Sequence, residues 1–224
     1  MDAHTIARIR LDDSFAKQFQ AYIIKEIVKK VRLKAPRVKD ELTNKIRQAV
    51  RLRLSQADEY QEIAGGTLRA QLGIPNAESR ISDIIEVWIQ GIRVDIAYGK
   101  KPFLNIHIGM IKDDYSDVLS LDASTYTYIR SSPPEKAGQT QIIPWLQWLL
   151  LEGDRRIILD YEFSPTKMGR SGMPGVMRKN NKKAWQVPSQ FSGTSVDNFA
   201  TRALDNIEIE IEKIVERTLI ALIK

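Results

Sequence analysis

The chain of 224 residues contains no cysteine. That absence excludes a disulfide framework, a thiolate metal site and a cysteine nucleophile together. No stretch reaches the roughly 18 apolar residues that span a bilayer. Met1 to Asp13 alternates charges with single apolar residues and lacks a signal-peptide core. The expectation is a soluble protein, cytoplasmic when made, with no membrane contact. There is no Walker loop, no dinucleotide fingerprint after a strand and no nucleophile-elbow sequence. Internal repeats, low-complexity tails and linkers are absent too.

What is present is ordinary in amount and uneven in placement. Hydrophobic residues make up 43% and charged residues 28%, enough for one compact domain over 1–224. The net charge of +6 is concentrated. From Lys17 to Arg53 twelve basic residues stand against three acids, Glu26, Asp40 and Glu41. Such a block attracts phosphates or an acidic protein surface, or is a solvated helical face. Lys29, Lys30, Arg47 and Arg51 are its candidate DNA-facing members. From Ser164 to Lys183 six more bases occur without an acid: Lys167, Arg170, Arg178, Lys179, Lys182 and Lys183.

Periodicity orders the chain as helices, then strands, then helices. Helical spacing begins near Asp13 or Ser14 with Phe15, Phe19, Tyr22, Ile23, Ile27 and Val31. Pro36 breaks or kinks it, and Val38, Leu42, Ile46, Val50 and Leu54 continue. A short helix around Tyr60 to Ile63 meets Gly65-Gly66. Gly73-Ile74-Pro75-Asn76 is a stop before a helix from about Ala77 to Ile89. Ile81, Ile84, Ile85, Trp88 and Ile89 mark that helix's buried face.

Ile92 to Tyr98 and Leu104 to Met110 alternate strictly and predict a hairpin about the turn Gly99 to Pro102. Ser124 to Arg130 is a third strand and Arg156 to Phe163 a fourth. Between them Pro144 opens an apolar helix that ends at Gly153. Trp145 and Trp148 lie three apart on one face of it, as core residues or as anchors of a subunit interface. Ser164 to Lys183 is a long polar loop, Trp185 to Val187 a short strand, and Thr194 to Leu204 and Ile207 to Ile223 closing helices. The fold expected is α+β: a roughly four-stranded, mostly antiparallel sheet flanked by N- and C-terminal helices, with a long basic loop. Its parts are a helical portion at about 14–90, the sheet and central helix at about 91–188, and C-terminal helices at about 194–223.

Catalytic chemistry finds little support. His4 lies in a terminus read as mobile, and His107 sits in an alternating strand without a partner motif. Asp113, Asp114 and Asp117, and Glu152, Asp154, Asp160 and Glu162, form two acidic groups. Neither has a spacing that demands Mg²⁺, and turn capping explains them as well. No catalytic residue, cofactor or metal is assigned.

Several segments carry a resemblance: Gly66-Thr67-Leu68-Arg69; Ile143-Pro144-Trp145-Leu146-Gln147-Trp148 through Glu152-Gly153; Arg170-Ser171-Gly172-Met173; Val187-Pro188 to Phe191-Ser192-Gly193-Thr194; and Asn198-Phe199-Ala200-Thr201-Arg202-Ala203. In that order the chain resembles the neck proteins of contractile-tailed bacteriophages. In element order it is also similar to the tail-completion, or tail-terminator, ring proteins of long-tailed phages. The likeness covers roughly Phe15 to Leu204. The chain departs from the smaller ring proteins by its helices before Gly65 and its longer basic arm.

The resemblance implies a non-enzymatic virion structural protein of the neck, made in the host bacterial cytoplasm. It implies a homo-oligomeric ring around DNA, commonly of six copies in that family, joined to other neck, connector, tail-tube or sheath proteins. Lys167, Arg170, Arg178, Lys179, Lys182, Lys183, Trp145 and Trp148 are the candidate interface residues. The alternatives are a basic DNA-binding protein outside the virion and a metal-dependent nuclease.

Overall fold

The computed structural model describes residues 5–11, 21–98, 104–109, 112, 114–129, 138–153, 158–168 and 174–223. The expected helix start at Asp13 or Ser14, His4 and the turn at Gly99 to Pro102 lie outside them. The chain divides into two compact units. One comprises Met1–Leu52, Trp88–Asp113 and Asp205–Lys224; the other comprises Arg53–Val87 and Asp114–Leu204.

The first unit sets helices on a small sheet. Helix α1 (Ala21–Leu33) and helix α2 (Ala35–Gln56, up to Leu52 in this unit) are separated by Lys34 alone. Pro36 is the second residue of α2, where a missing N–H costs no hydrogen bond because the first turn has no acceptors. The Lys34 amide still donates to Lys30 O at 3.1 Å, which keeps the break tight. Ile27 and Val31 on α1 and Val38, Leu42, Ile46 and Val50 on α2 are buried.

Strands β1 (Thr5–Leu11), β2 (Arg93–Tyr98) and β3 (Leu104–Gly109) form an antiparallel sheet in the order β1-β3-β2. Val94 pairs with Ile108, Ile96 with Ile106 and Tyr98 with Leu104, while Arg93, Asp95 and Ala97 are exposed. The expected hairpin is therefore present, with its apolar set on one face. Strand β1 was not anticipated; it adds to β3 on the side away from β2. Helix α9 (Ile207–Ile223) packs on α1 and β1 and buries Ile207, Ile211, Val215 and Leu219.

The second unit is built from short elements. Helices α3 (Asp58–Ala64) and α4 (Thr67–Leu72) flank Gly65-Gly66. Gly73 caps α4 in the left-handed region, φ 67°, and donates its N–H to Arg69 O. Helix α5 (Ala77–Gly91, up to Val87 in this unit) follows, with Ile81, Ile84 and Ile85 buried as its spacing predicts. Then come α6 (Ser116–Leu119), a 3₁₀ turn at Asp122–Ser124, β4 (Tyr126–Ile129), β5 (Thr140–Ile143) and α7 (Trp145–Leu150). Strands β6 (Ile158–Met168) and β7 (Pro174–Trp185) and helix α8 (Phe199–Ala203) complete the unit. The Arg80 guanidinium ties the 3₁₀ turn to α5, donating to Asp122 O at 2.8 Å and Thr125 O at 2.6 Å.

Two expectations are corrected. The α+β class holds, but no four-stranded sheet forms among the described residues. Strand β4 pairs with β5, and β6 with β7, as two separate two-stranded sheets beside the three-stranded one. The segment Ser164 to Lys183 is not a loop: it supplies the end of β6 and most of β7, an antiparallel ribbon. From Arg178 to Ala184 only Asn180 is less than exposed. A ribbon with solvent on both faces has no need to alternate apolar with polar residues, so it left no strand signal.

Candidate functional site

The segments that carry the family resemblance meet in the second unit, and they meet through backbone contacts. Helix α7 buries Trp145, Leu146, Leu149 and Leu150. Trp145 is fully buried and donates its indole N–H to Ala123 O at 3.0 Å, so it is a core residue. Trp148 is half-buried. Gly153, just past α7, donates its N–H to Gly193 O at 3.0 Å. A Cβ on Gly193 would collide with Leu149 O; one on Gly153 would collide with Gly193 N and Trp148 O. Both glycines are thus required by close approach of two backbones.

The next layer is polar. Glu59 is only 4% exposed. Arg202 Nε and Nη2 both lie 2.7 Å from Glu59 Oε1. Arg202 Nη1 donates to Asp197 Oδ1 at 2.8 Å and to Ser192 O at 3.2 Å. One guanidinium therefore joins α3, the Ser192 turn and the entrance to α8, and supplies the charge that makes a buried carboxylate tolerable.

Asn198 is wholly buried and caps α8. Its Oδ1 accepts from Ala200 N at 3.0 Å and Thr201 N at 3.2 Å, and Thr201 Oγ1 accepts from Asn198 N at 2.8 Å. Its Nδ2 donates to Tyr115 Oη and Thr194 O, each at 2.8 Å. At α4, Glu62 Oε2 accepts from Thr67 N at 2.8 Å and Leu68 N at 3.3 Å, satisfying two amides of a helix start. These distinctive sequence segments are the framework of the unit.

The chemistry left at the surface is the β6–β7 ribbon. Arg178, Lys179, Lys182 and Lys183 are all exposed. Lys183 Nζ lies 3.0 Å from Glu162 Oε2. The Lys183 hydrogen bond, with one from Asn180, holds the Glu162 carboxyl below its ordinary value of 4.5. The ladder is irregular there. Between the pairs Leu159–Ala184 and Tyr161–Lys179, β6 has one residue, Asp160, where β7 has Asn180, Asn181, Lys182 and Lys183. Such a bulge twists a ribbon and re-aims its side chains. At the far end the Phe163 ring covers Gly175, whose φ of 135° suits glycine. Arg170 lies outside the described residues; Lys167 is in β6.

The basic helices of the first unit are partly engaged in its own structure. Arg47 Nη2 donates to Gln90 O at 3.1 Å and Ile92 O at 3.4 Å. Lys39 pairs with Asp95 at 3.1 Å, Lys45 with Glu41 at 2.6 Å, and Arg32 stacks 5.2 Å above the Tyr98 ring. Burial raises the Tyr98 hydroxyl's pKa against the pull of Arg32. Lys29 and Arg51 are exposed and Lys30 half-buried.

The acidic groups act as turn acceptors: Asp114 Oδ1 takes Ser116 N and Asp117 Oδ1 takes Val118 N, each at 3.0 Å. Asp113 and Asp154 lie outside the described residues, and among the described ones no three His, Asp or Glu side chains converge on a metal position. No helix is long and apolar enough to cross a membrane among the described residues.

No protein-family model, no curated protein and no solved structure matches the chain. Sequence reasoning singled out the ribbon's cations but missed Glu59 and Asn198. A lone Glu and a lone Asn gave no signal; only the fold shows that each is buried with a partner.

Proposed function

We propose that the chain is a virion structural protein of the phage neck. It acts in tail completion and head-to-tail joining as an oligomeric ring around the DNA channel. The observation that carries the reading is the β6–β7 ribbon. It is long: 11 and 12 residues per strand, about 35 Å at the usual strand rise. It is exposed and basic over the stretch where a folding element would bury an apolar face. A ribbon of that kind contributes little to its own unit's core and offers side chains and strand edges to a neighbour.

The gathering of the resembling segments around Gly153, Gly193 and Arg202 supports the same reading. They are the residues that position the ribbon's unit, so a likeness confined to them is a likeness of framework. The contact surface comprises Lys167, Arg170, Arg178, Lys179, Lys182 and Lys183, with half-buried Trp148 as a candidate beside them. Exposed Lys29 and Arg51 are free to face the channel. Arg47 is held by two carbonyls and contributes charge only. The neighbours are other copies and the connector, tail-tube or sheath proteins of the particle.

Mass spectrometry of purified particles, with antibody labelling seen by negative-stain imaging, tests the proposal. The protein is expected at the head–tail junction in a fixed ratio to the portal. Its absence from particles overturns the reading. Salt-sensitive binding to free duplex by a protein missing from particles would favour DNA binding outside the virion instead.

A further inference from the structure

The ribbon's cations need a counterpart, and the chain carries one. Among the described residues no acid pairs with Lys179 or Lys182, and Arg178 shares Glu162 with Lys183. On α9, Glu208, Glu212 and Glu216 follow one another at four-residue spacing and are exposed. They form one stripe about 12 Å long. No cation pairs with them among the described residues. The helix dipole accounts for Glu208, in the first turn, but not for Glu212 and Glu216 beyond it. Each neighbouring pair is a like-charge contact that weakens the helix slightly. Ile209, 51% exposed, borders the stripe.

We infer that the β7 face bearing Arg178, Lys179 and Lys182 docks on the Glu208–Glu212–Glu216 face of α9 in a second copy of this chain. The inference rests on the assembly reading above and names its surface. Charge complementarity selects the occupant. Three cations along about 13 Å of strand meet three carboxylates along about 12 Å of helix. The flanking isoleucine adds apolar area that a purely ionic contact lacks. Because the two faces differ, the contact is heterologous: each copy gives a ribbon to one neighbour and a helix to the other. Repetition of such a contact closes into a ring or runs on as a filament.

Sedimentation velocity on the full chain tests this with two triple variants, Arg178→Glu/Lys179→Glu/Lys182→Glu and Glu208→Lys/Glu212→Lys/Glu216→Lys. All six positions are exposed, and circular dichroism checks that both variants fold. The original chain should self-associate, less so at high salt. Each variant alone should associate about tenfold more weakly or worse, since both its faces then carry one sign. A 1:1 mixture of the two variants should associate again, because each then meets the opposite charge. A misfolded variant cannot produce that rescue.

Three results overturn the inference: a chain monomeric at every concentration, variants that associate like the original, or a mixture no better than its parts. Loss of duplex-DNA binding in the ribbon variant with unchanged self-association also overturns it, and assigns the cations to phosphates. None of these touches the neck reading, which particle contents decide.

Discussion

The framework around Gly193 and the β6–β7 ribbon belong to one unit and are built on opposite principles. In the framework every strong polar group is answered from within. Glu59 has Arg202, Asn198 has two amides, a hydroxyl and a carbonyl, and two glycines let backbones touch. In the ribbon, Lys179 and Lys182 have no acid among the described residues, and the ladder is interrupted by a four-residue bulge. The first pattern fixes a shape. The second leaves charge and backbone for something outside the unit. Distinctive sequence and interaction surface are therefore different places in this molecule.

That contrast is broken most directly at Gly193. Gly193→Ala puts a Cβ onto Leu149 O, a backbone atom that cannot swing aside. The expected loss is about 3 kcal/mol or more, at the upper end for overpacking. Thermal unfolding followed by circular dichroism measures it. A near-neutral result would mean that the two backbones are not in contact. Next comes Arg202→Ala, which strands the Glu59 carboxylate. Arg202 is partly exposed, so the expected loss is about 2 kcal/mol rather than the full value for a buried pair. Arg202→Ala combined with Glu59→Gln should recover part of it, because no buried charge then remains.

Asn198→Ala removes a cap and an anchor to Tyr115. About 1–2 kcal/mol is expected, and Asn198→Asp should keep the cap but lose the Nδ2 donations. By contrast, Lys179→Ala or Lys182→Ala should change stability by no more than about 0.5 kcal/mol, as at any exposed site. If either ribbon variant destabilised as much as the cap variant, the ribbon would belong to the framework and the comparison would fail.

How much of this was legible from sequence follows the range of the interactions. The α5 face at Ile81, Ile84 and Ile85 and the alternation of β2 and β3 were legible because periodicity is local. Pro36 marked a helix start for the same reason. Strand β1 was missed although Ala7, Ile9 and Leu11 alternate with Arg8 and Arg10. Its partner β3 lies far along the chain, and a short alternating run beside a terminus has no local turn to announce it. Strand β5 has only four residues, too few for any pattern. The Gly153–Gly193 contact was legible only as two glycines in separate motifs; that they touch is a property of the fold.

The smallest expected effect sharpens the comparison from the ribbon's side. Glu162 is the ribbon's one internally answered charge. Its carboxyl is lowered from 4.5 chiefly by the Lys183 hydrogen bond, then by Asn180. A lowered folded pKa means that the carboxylate form is favoured by folding. The contribution is fully present above the ordinary value of 4.5 and is lost as pH falls through the lowered one. Because the pair is exposed, salt should screen it. Carboxyl-carbon NMR titration of Glu162 should place its midpoint on the acid side of 4.5, and Lys183→Ala should move it back up. Amide exchange across the Asn180–Lys183 bulge should quicken over the same acid range while α8 stays protected. If α8 loosened together with the bulge, the pair would be holding the framework too. A midpoint unmoved by Lys183→Ala would instead mean that the bulge is set by the backbone, with Glu162 a bystander and all the ribbon's cations free for a partner.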